Sequence, residues 1–389
     1  MTDGAVMREA SGRWLWSSRA ARLIETRRFE GALEHAPPGR IVMGFRAACL
    51  AMVMHSVLST AAFAGSPPLA TSEAMIQSSD PGVKLYVRNK HAEGMTSFSP
   101  DNTLLFIHGA TYPAETSFDL PIEGVSMMDL FAQNGFDVYL VDVRSYGRSS
   151  RPPEMDQPPE ANKPIATSEE AGADLGAAVD YILAKRGIPK LDLMGWSWGT
   201  SIAGAYAAQH NDKINRLVLY APAWIVQPPV EPSTKAIPAY RLVAKDSAKA
   251  RWLRGVPEDK KASLIPPGVF DRWWDATLAT DPVGGKTDPP RLRAANGVMA
   301  EFTNYWGAGK PFYDPGKIAV PTLLIHAEWD ADLPTYMTEA YFAKLTGAPY
   351  KRFVQLGEGT HTVMLEKNRM QFFHEILGFL DESDPTALK

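Results

Sequence analysis

The sequence predicts an α/β protein with a mostly parallel central sheet, helices on both faces and one inserted cap. Three observations predict it. From residue 82 to the C-terminus, short runs rich in β-branched and aromatic residues alternate with stretches of helical period. Several of those runs are apolar nearly throughout, the mark of strands buried on both faces. One long segment, residues 225–318, breaks the alternation.

The elements follow in order. "GVKLYVRNK" (Gly82–Lys90), "NTLLFIHG" (Asn102–Gly109) and "GFDVYLVDVR" (Gly135–Arg144) read as strands. Between the last two, "VSMMDLFAQNG" has a helical period and stops at Asn-Gly. Thr167-Ser-Glu-Glu170 forms a capping box for a helix reaching about Arg186, closed by Gly187 and Pro189. Strand "KLDLMGW" leads into a small-residue helix from Ser197 to His210, and strand "RLVLYAPAW" (Arg216–Trp224) follows. Later come strands "PTLLIHAE" (Pro321–Glu328) and "YKRFVQLG" (Tyr350–Gly357) with a helical stretch between them, then a final helix near Gln371–Leu380. The interrupting segment, Ile225–Ile318, is rich in Pro, Trp and Tyr and shows no clean strand. Its place between two sheet strands makes it a cap.

Composition is that of an ordinary globular chain, with 45% hydrophobic and 22% charged residues and a net charge of -4. That balance gives no basic surface for nucleic acid, and there is neither a zinc-spaced Cys/His cluster nor a Gly-rich phosphate loop. A small neutral or moderately polar ligand fits best, with no metal and no organic cofactor. Residues 1–64 differ from the rest, holding eight Arg, no Lys and five acids. "MGFRAACLAMVMHSVLSTAAFA" from Met43 has an Arg46-bearing start, an apolar run from about Ala47 to Leu58, and Ala62-Phe63-Ala64 before Gly65. This is signal-peptide anatomy, with cleavage expected after Ala64. A core helix or membrane anchor is the rival, but the apolar run is short and contains His55. The domain reading is therefore 1–64 extension and signal, 65–224 core, 225–318 cap and 319–389 core. Localisation is expected to be periplasmic or secreted, with no stable membrane anchor after processing. Translation from Met1 or Met43, and the oligomeric state, are open.

"LDLMGWSWGTS" places Ser197 where a buried strand ends and a helix begins. A tight turn there projects the hydroxyl at a helix N-terminus, with Gly195 and Gly199 where side chains would clash. A serine hydroxyl needs a base, and the base needs an orienting group. "HAEWDADLP" supplies Asp330 just after a strand, and "LGEGTHTVMLE" supplies His361 after the last strand. Glu328 and Asp332 compete for the acid position; His108, His210, His326 and His374 compete with His361. His108 and His326 belong to strand ends and read as structural, as do Asp142 and Arg144, taken as a loop pair.

The order Ser197, Asp330, His361, with "HGA" and "DVRSYGRSS" after earlier strands, resembles the α/β-hydrolase superfamily from about residue 82 onward. Three positions depart from the family pattern: Ser145 and Ala327 stand where Gly is usual, and Thr360 precedes the histidine. The resemblance implies a serine hydrolase working through an acyl-enzyme, with the backbone N–H groups of Ala110 and Trp198 as oxyanion hole. The expected function is exported carboxylic-ester hydrolase acting on a small-molecule ester. A proline iminopeptidase-like aminopeptidase, with Asp271, Asp275 or Glu301 holding the ammonium, is the nearest rival, and a lactonase is another. A ligand-binding protein that lost the chemistry is the non-enzymatic one. Among the cap aromatics, Trp274 and Trp306 are the candidate substrate-binding residues.

Overall fold

The computed structural model describes residues 67–231 and 235–386. The expected extension, signal peptide and cleavage site after Ala64 lie outside them. Among the described residues ten strands run in chain order: β1 Leu69–Gln77, β2 Lys84–Ala92, β3 Thr103–Ile107, β4 Asp137–Val141, β5 Leu191–Trp196, β6 Ile214–Tyr220, β7 Tyr240–Val243, β8 Leu292–Ala295, β9 Thr322–Ala327 and β10 Lys351–Leu356. The helices are α1 Ala114–Phe118, α2 Met127–Gln133, α3 Ser168–Arg186, α4 Trp198–Gln209, α5 Lys245–Trp252, α6 Lys261–Leu264, α7 Val269–Ala279, α8 Gly297–Asn304, α9 Thr335–Lys344 and α10 Arg369–Asp381.

Eight strands form the central sheet in the order β1-β2-β4-β3-β5-β6-β9-β10. Only β2 runs against its neighbours; from β4 to β10 every pairing is parallel. Every residue of β3, β4, β5 and β9 is buried, which is why these strands read as mostly apolar runs. Helices α2 and α10 pack on each other and on one face, while α3, α4 and α9 cover the other. The inward residues of α3, Ala171, Leu175, Ala178, Val179 and Ile182, fall at helical spacing. Its N-terminus has the expected box: Thr167 accepts the Glu170 N–H, Glu170 accepts the Thr167 N–H at 2.8 Å, and Gly187 closes the helix at φ 65°. Such a cap contributes about 1 kcal/mol.

The chain leaves β4, passes β3 and enters the sheet again as β5 on its far side. Strand order reverses there, so a crevice opens at the C-terminal ends of β3 and β5, the position that favours ligands in open α/β sheets. The insertion between β6 and β9 corrects one expectation. It does contain strands: β7 and β8 pair antiparallel, Tyr240 opposite Ala295. Each is only four residues long and they lie far apart in sequence, so neither alternation nor a hairpin turn announces them.

Candidate functional site

The turn from β5 into α4 holds Ser197 at φ 56° and ψ −124°, a conformation costing about 1–3 kcal/mol for a non-glycine residue. Its neighbours make the turn compulsory. A Cβ on Gly195 would stand 2.4 Å from the Gly199 carbonyl oxygen, and one on Gly199 2.5 Å from the His108 carbonyl oxygen. The Ser197 N–H donates to the Tyr220 carbonyl at 2.9 Å, anchoring the turn to β6.

The loop after β10 brings His361 over that hydroxyl. His361 Nε2 lies 2.8 Å from Ser197 Oγ, and Nδ1 lies 2.7 Å from Asp330 Oδ2, on the loop after β9. Asp330 Oδ1 accepts the N–H groups of Asp332 and Leu333 at 2.9 and 3.0 Å, which fixes the carboxylate. Ser197, His361 and Asp330 are 8%, 8% and 7% exposed, so all three are largely buried. Trp196 Nε1 donates to the His361 carbonyl at 2.8 Å, fastening the His loop to the strand that carries Ser197. Beneath the loop, buried Glu366 accepts the Thr360 N–H at 2.9 Å and the Trp252 indole N–H at 2.8 Å. Burial pushes its carboxyl up to about 7.

The competing acids are engaged elsewhere. Glu328 accepts the Glu358 N–H, and Asp332 pairs with Arg251 and Arg254. Among the histidines, His326 meets Thr338 Oγ1 at 3.1 Å, His210 packs on Tyr206, and His374 is exposed on α10. His108 Nδ1 donates to the Gly109 carbonyl at 2.7 Å, so its Nε2 accepts the Val143 N–H at 3.2 Å. Burial pushes this imidazole down to about 4, and it stands neutral as a brace for the Gly109–Ala110 loop.

Asp142 and Arg144 do not form the expected pair. Asp142 accepts the Ala114 and Arg148 N–H groups, while Arg144 binds buried Asp174 at 2.7 Å. Ser145 occupies the left-handed region at φ 73°, where glycine is at ease.

A cavity of about 530 Å³ opens onto Ser197, Trp198 and Ala110. Trp198 is the first residue of α4, so its N–H has no acceptor within the helix and points with the positive end of the helix dipole. Val298, Met299, Phe302 and Trp306 form an apolar wall. Trp306 lines the cavity, whereas Trp274 does not; it is buried beside Trp273 in the insertion. Glu301 is not offered to a ligand either. It accepts the Trp198 indole N–H at 3.0 Å and the Ser168 hydroxyl, binding α8 to α4 and α3, and burial raises its carboxyl pKa. Sequence reasoning missed Arg241, Arg251 and Arg254, which also line the cavity. Their convergence joins β7 to the end of α5, a tertiary fact with no local signature.

A family profile described as alpha/beta hydrolase fold matches residues 102–263. Among solved structures, the chain is similar to a serine hydrolase involved in carbazole degradation, at 16% identity over 80% of this chain and 99% of that one, TM-score 0.54. It is also similar to 2-hydroxy-6-oxo-6-phenylhexa-2,4-dienoate hydrolase from Rhodococcus sp. strain RHA1, at 15% identity over 81% and 100% of the two chains, TM-score 0.51. A third likeness is Est816, an N-acyl homoserine lactone degrading enzyme, at 16% identity over 79% and 100%, TM-score 0.52. At these identities the likeness is one of fold. No curated protein matches the chain in sequence.

Proposed function

We propose, from the premise that this chain belongs to the α/β-hydrolase superfamily and is a hydrolase, that it cleaves carboxylic esters through a Ser197 acyl-enzyme. The observation that carries this reading is the continuous relay from Ser197 Oγ through His361 to Asp330, with contacts of 2.8 and 2.7 Å. Ser197 Oγ attacks the ester carbonyl carbon as His361 Nε2 takes its proton. Asp330 holds Nδ1–H and stabilises the imidazolium. The N–H groups of Ala110 and Trp198 receive the oxyanion, a single such donor contributing on the order of 3 kcal/mol. His361 then protonates the departing alkoxide, leaving Ser197 acylated. A water molecule gives its proton to His361, attacks the acyl carbon and releases the carboxylic acid with Ser197 restored.

The aminopeptidase alternative draws no support from the cavity. Asp271 and Asp275 face Lys245 at 2.8 and 4.0 Å and neither lines the cavity, while Glu301 is bonded to Ser168 and Trp198. A fluorophosphonate probe tests the central claim. The expected adduct is on Ser197, absent in Ser197→Ala, with turnover of 4-nitrophenyl esters lost in parallel; an unlabelled, folded protein defeats it. A lactone in the same screen separates the ester and lactone readings. Export is proposed on the residue 43–64 pattern, and intact mass of protein from its own host should give Gly65 as first residue. Retention of Met1 in cytoplasmic protein refutes it.

A further inference from the structure

The cavity over Ser197 has an excess of positive charge that the ester reading does not use. Three guanidinium groups line it, Arg241 on β7, Arg251 near the end of α5 and Arg254 just beyond, against one carboxylate, Asp332. Arg251 Nε donates to Asp332 Oδ2 at 2.6 Å, and Arg254 pairs with Oδ1. Those two have an ordinary reason to be there, since cations are favoured at a helix C-terminus. Arg241 has none.

Among the described residues no carboxylate forms an ion pair with Arg241. Its hydrogen bonds go to neutral oxygens: Nη1 donates to Ala295 O at 3.0 Å and Asn296 Oδ1 at 2.9 Å, and Nη2 to Thr111 Oγ1. Three bonds leave two of the five N–H groups that a guanidinium carries. Burial and the neighbouring Arg251 lower its pKa, yet a guanidinium stays protonated in a protein. A partly buried cation without a counter-charge costs stability, and an anionic ligand removes that cost. Thr111 follows Ala110, so the guanidinium is tied to the loop that carries the candidate oxyanion donor.

We propose that Arg241, with Arg251 and Arg254 lining the same cavity, binds a carboxylate of the substrate, so that the preferred ester bears a free carboxylate on its acyl portion. Two remaining N–H groups match the two oxygens of a carboxylate, and the apolar wall of Val298, Met299, Phe302 and Trp306 takes the carbon skeleton. The proposal rests on Ser197 being the nucleophile.

The test compares kcat/KM for mono-4-nitrophenyl glutarate and 4-nitrophenyl pentanoate, which differ chiefly in the terminal charge. The wild type should favour the glutarate by on the order of tenfold or more. The ratio should fall towards unity in Arg241→Gln, survive in part in Arg241→Lys and Arg254→Gln, and shrink in added salt. Equal kcat/KM for the two esters in the wild type, or an unchanged ratio in folded Arg241→Gln, overturns the proposal while Ser197 labelling still upholds the hydrolase reading. Absence of both labelling and hydrolysis defeats that reading instead. Calorimetric binding of glutarate to the Ser197→Ala protein then decides the carboxylate site by itself: saturable binding lost in the Arg241→Gln double variant upholds it, and no binding ends it. Inorganic phosphate in the same calorimetry, bound more tightly than glutarate, overturns the assignment to a carboxylate.

Discussion

Replacing Asp330 by asparagine changes one atom and should silence the relay through tautomer choice. Asp330 Oδ1 accepts two backbone N–H groups, from Asp332 and Leu333, while Oδ2 faces His361 Nδ1 at 2.7 Å. Asparagine has one oxygen. The two backbone donors demand it at the Oδ1 position, so the amide NH2 must point at His361. It can only donate there, which forces Nδ1 to accept and moves the imidazole proton to Nε2. That nitrogen, 2.8 Å from Ser197 Oγ, then has no lone pair with which to take the serine proton. The expected loss in kcat is roughly a thousand- to ten-thousandfold, or ~4–5.5 kcal/mol of barrier. The loop keeps its backbone hydrogen bonds, so the melting temperature should move little. Steady-state hydrolysis of 4-nitrophenyl butyrate, read beside a thermal melt, makes the measurement, with Glu328→Gln and Asp332→Asn as comparisons. A loss below about tenfold, or a greater loss in folded Asp332→Asn, refutes the tautomer argument.

Ser145→Gly should stabilise the fold by about 1–2 kcal/mol, because it relieves φ 73° and removes a buried hydroxyl without a partner among the described residues. Urea denaturation checks this, and a lower midpoint at unchanged slope contradicts it. Glu366 has its carboxyl raised from 4.5 to about 7, so its stabilising contribution is full below pH 4.5 and is lost as pH rises through 7. In Glu366→Gln that part of the pH–stability curve should flatten by roughly 3 kcal/mol; equal slopes in both proteins count against it. Trp306→Ala should reorder ester preference by about ten- to two-hundredfold, since Trp306 lines the cavity. Trp274→Ala should instead cost about 3–5 kcal/mol of stability and depress all substrates together, and the opposite pattern in melts and kcat/KM exchanges the two roles.

How far the sequence could be read depended on where the constraint lies. Strands β3, β4, β5 and β9 are buried throughout, so their composition alone marks them. β1 carries no such mark, because it is an edge strand, largely exposed, whose "LATSEAMIQ" has no clean alternation. The run "RLVLYAPAW" extends past the end of β6 at Tyr220 for the opposite reason. Ala223 and Trp224 are buried but lie beyond the sheet, in the chain entering the insertion, with the Ala223 N–H on Thr200 Oγ1. Burial without ladder bonds looks like strand in one dimension.

The residues at the site divide in the same way. Ser197, Gly195 and Gly199 answer to a backbone turn that admits few side chains, and such a demand shows in a few adjacent letters. Asp330 and His361 follow strand ends, so chain order carries them. The insertion has no such rule. Trp273 and Trp274 are both buried on α7, and their neighbour in composition, Trp306, just beyond α8, lines the cavity; which tryptophan faces a ligand depends on how α7 and the chain after α8 dock. Glu301 shows the limit most sharply. In sequence it is a carboxylate available to a substrate ammonium; in the fold it is committed to Trp198 and Ser168, and the charge left for a ligand comes from Arg241 instead. The turn specifies where bond cleavage can occur, while the sign of charge over it is set by packing between distant elements.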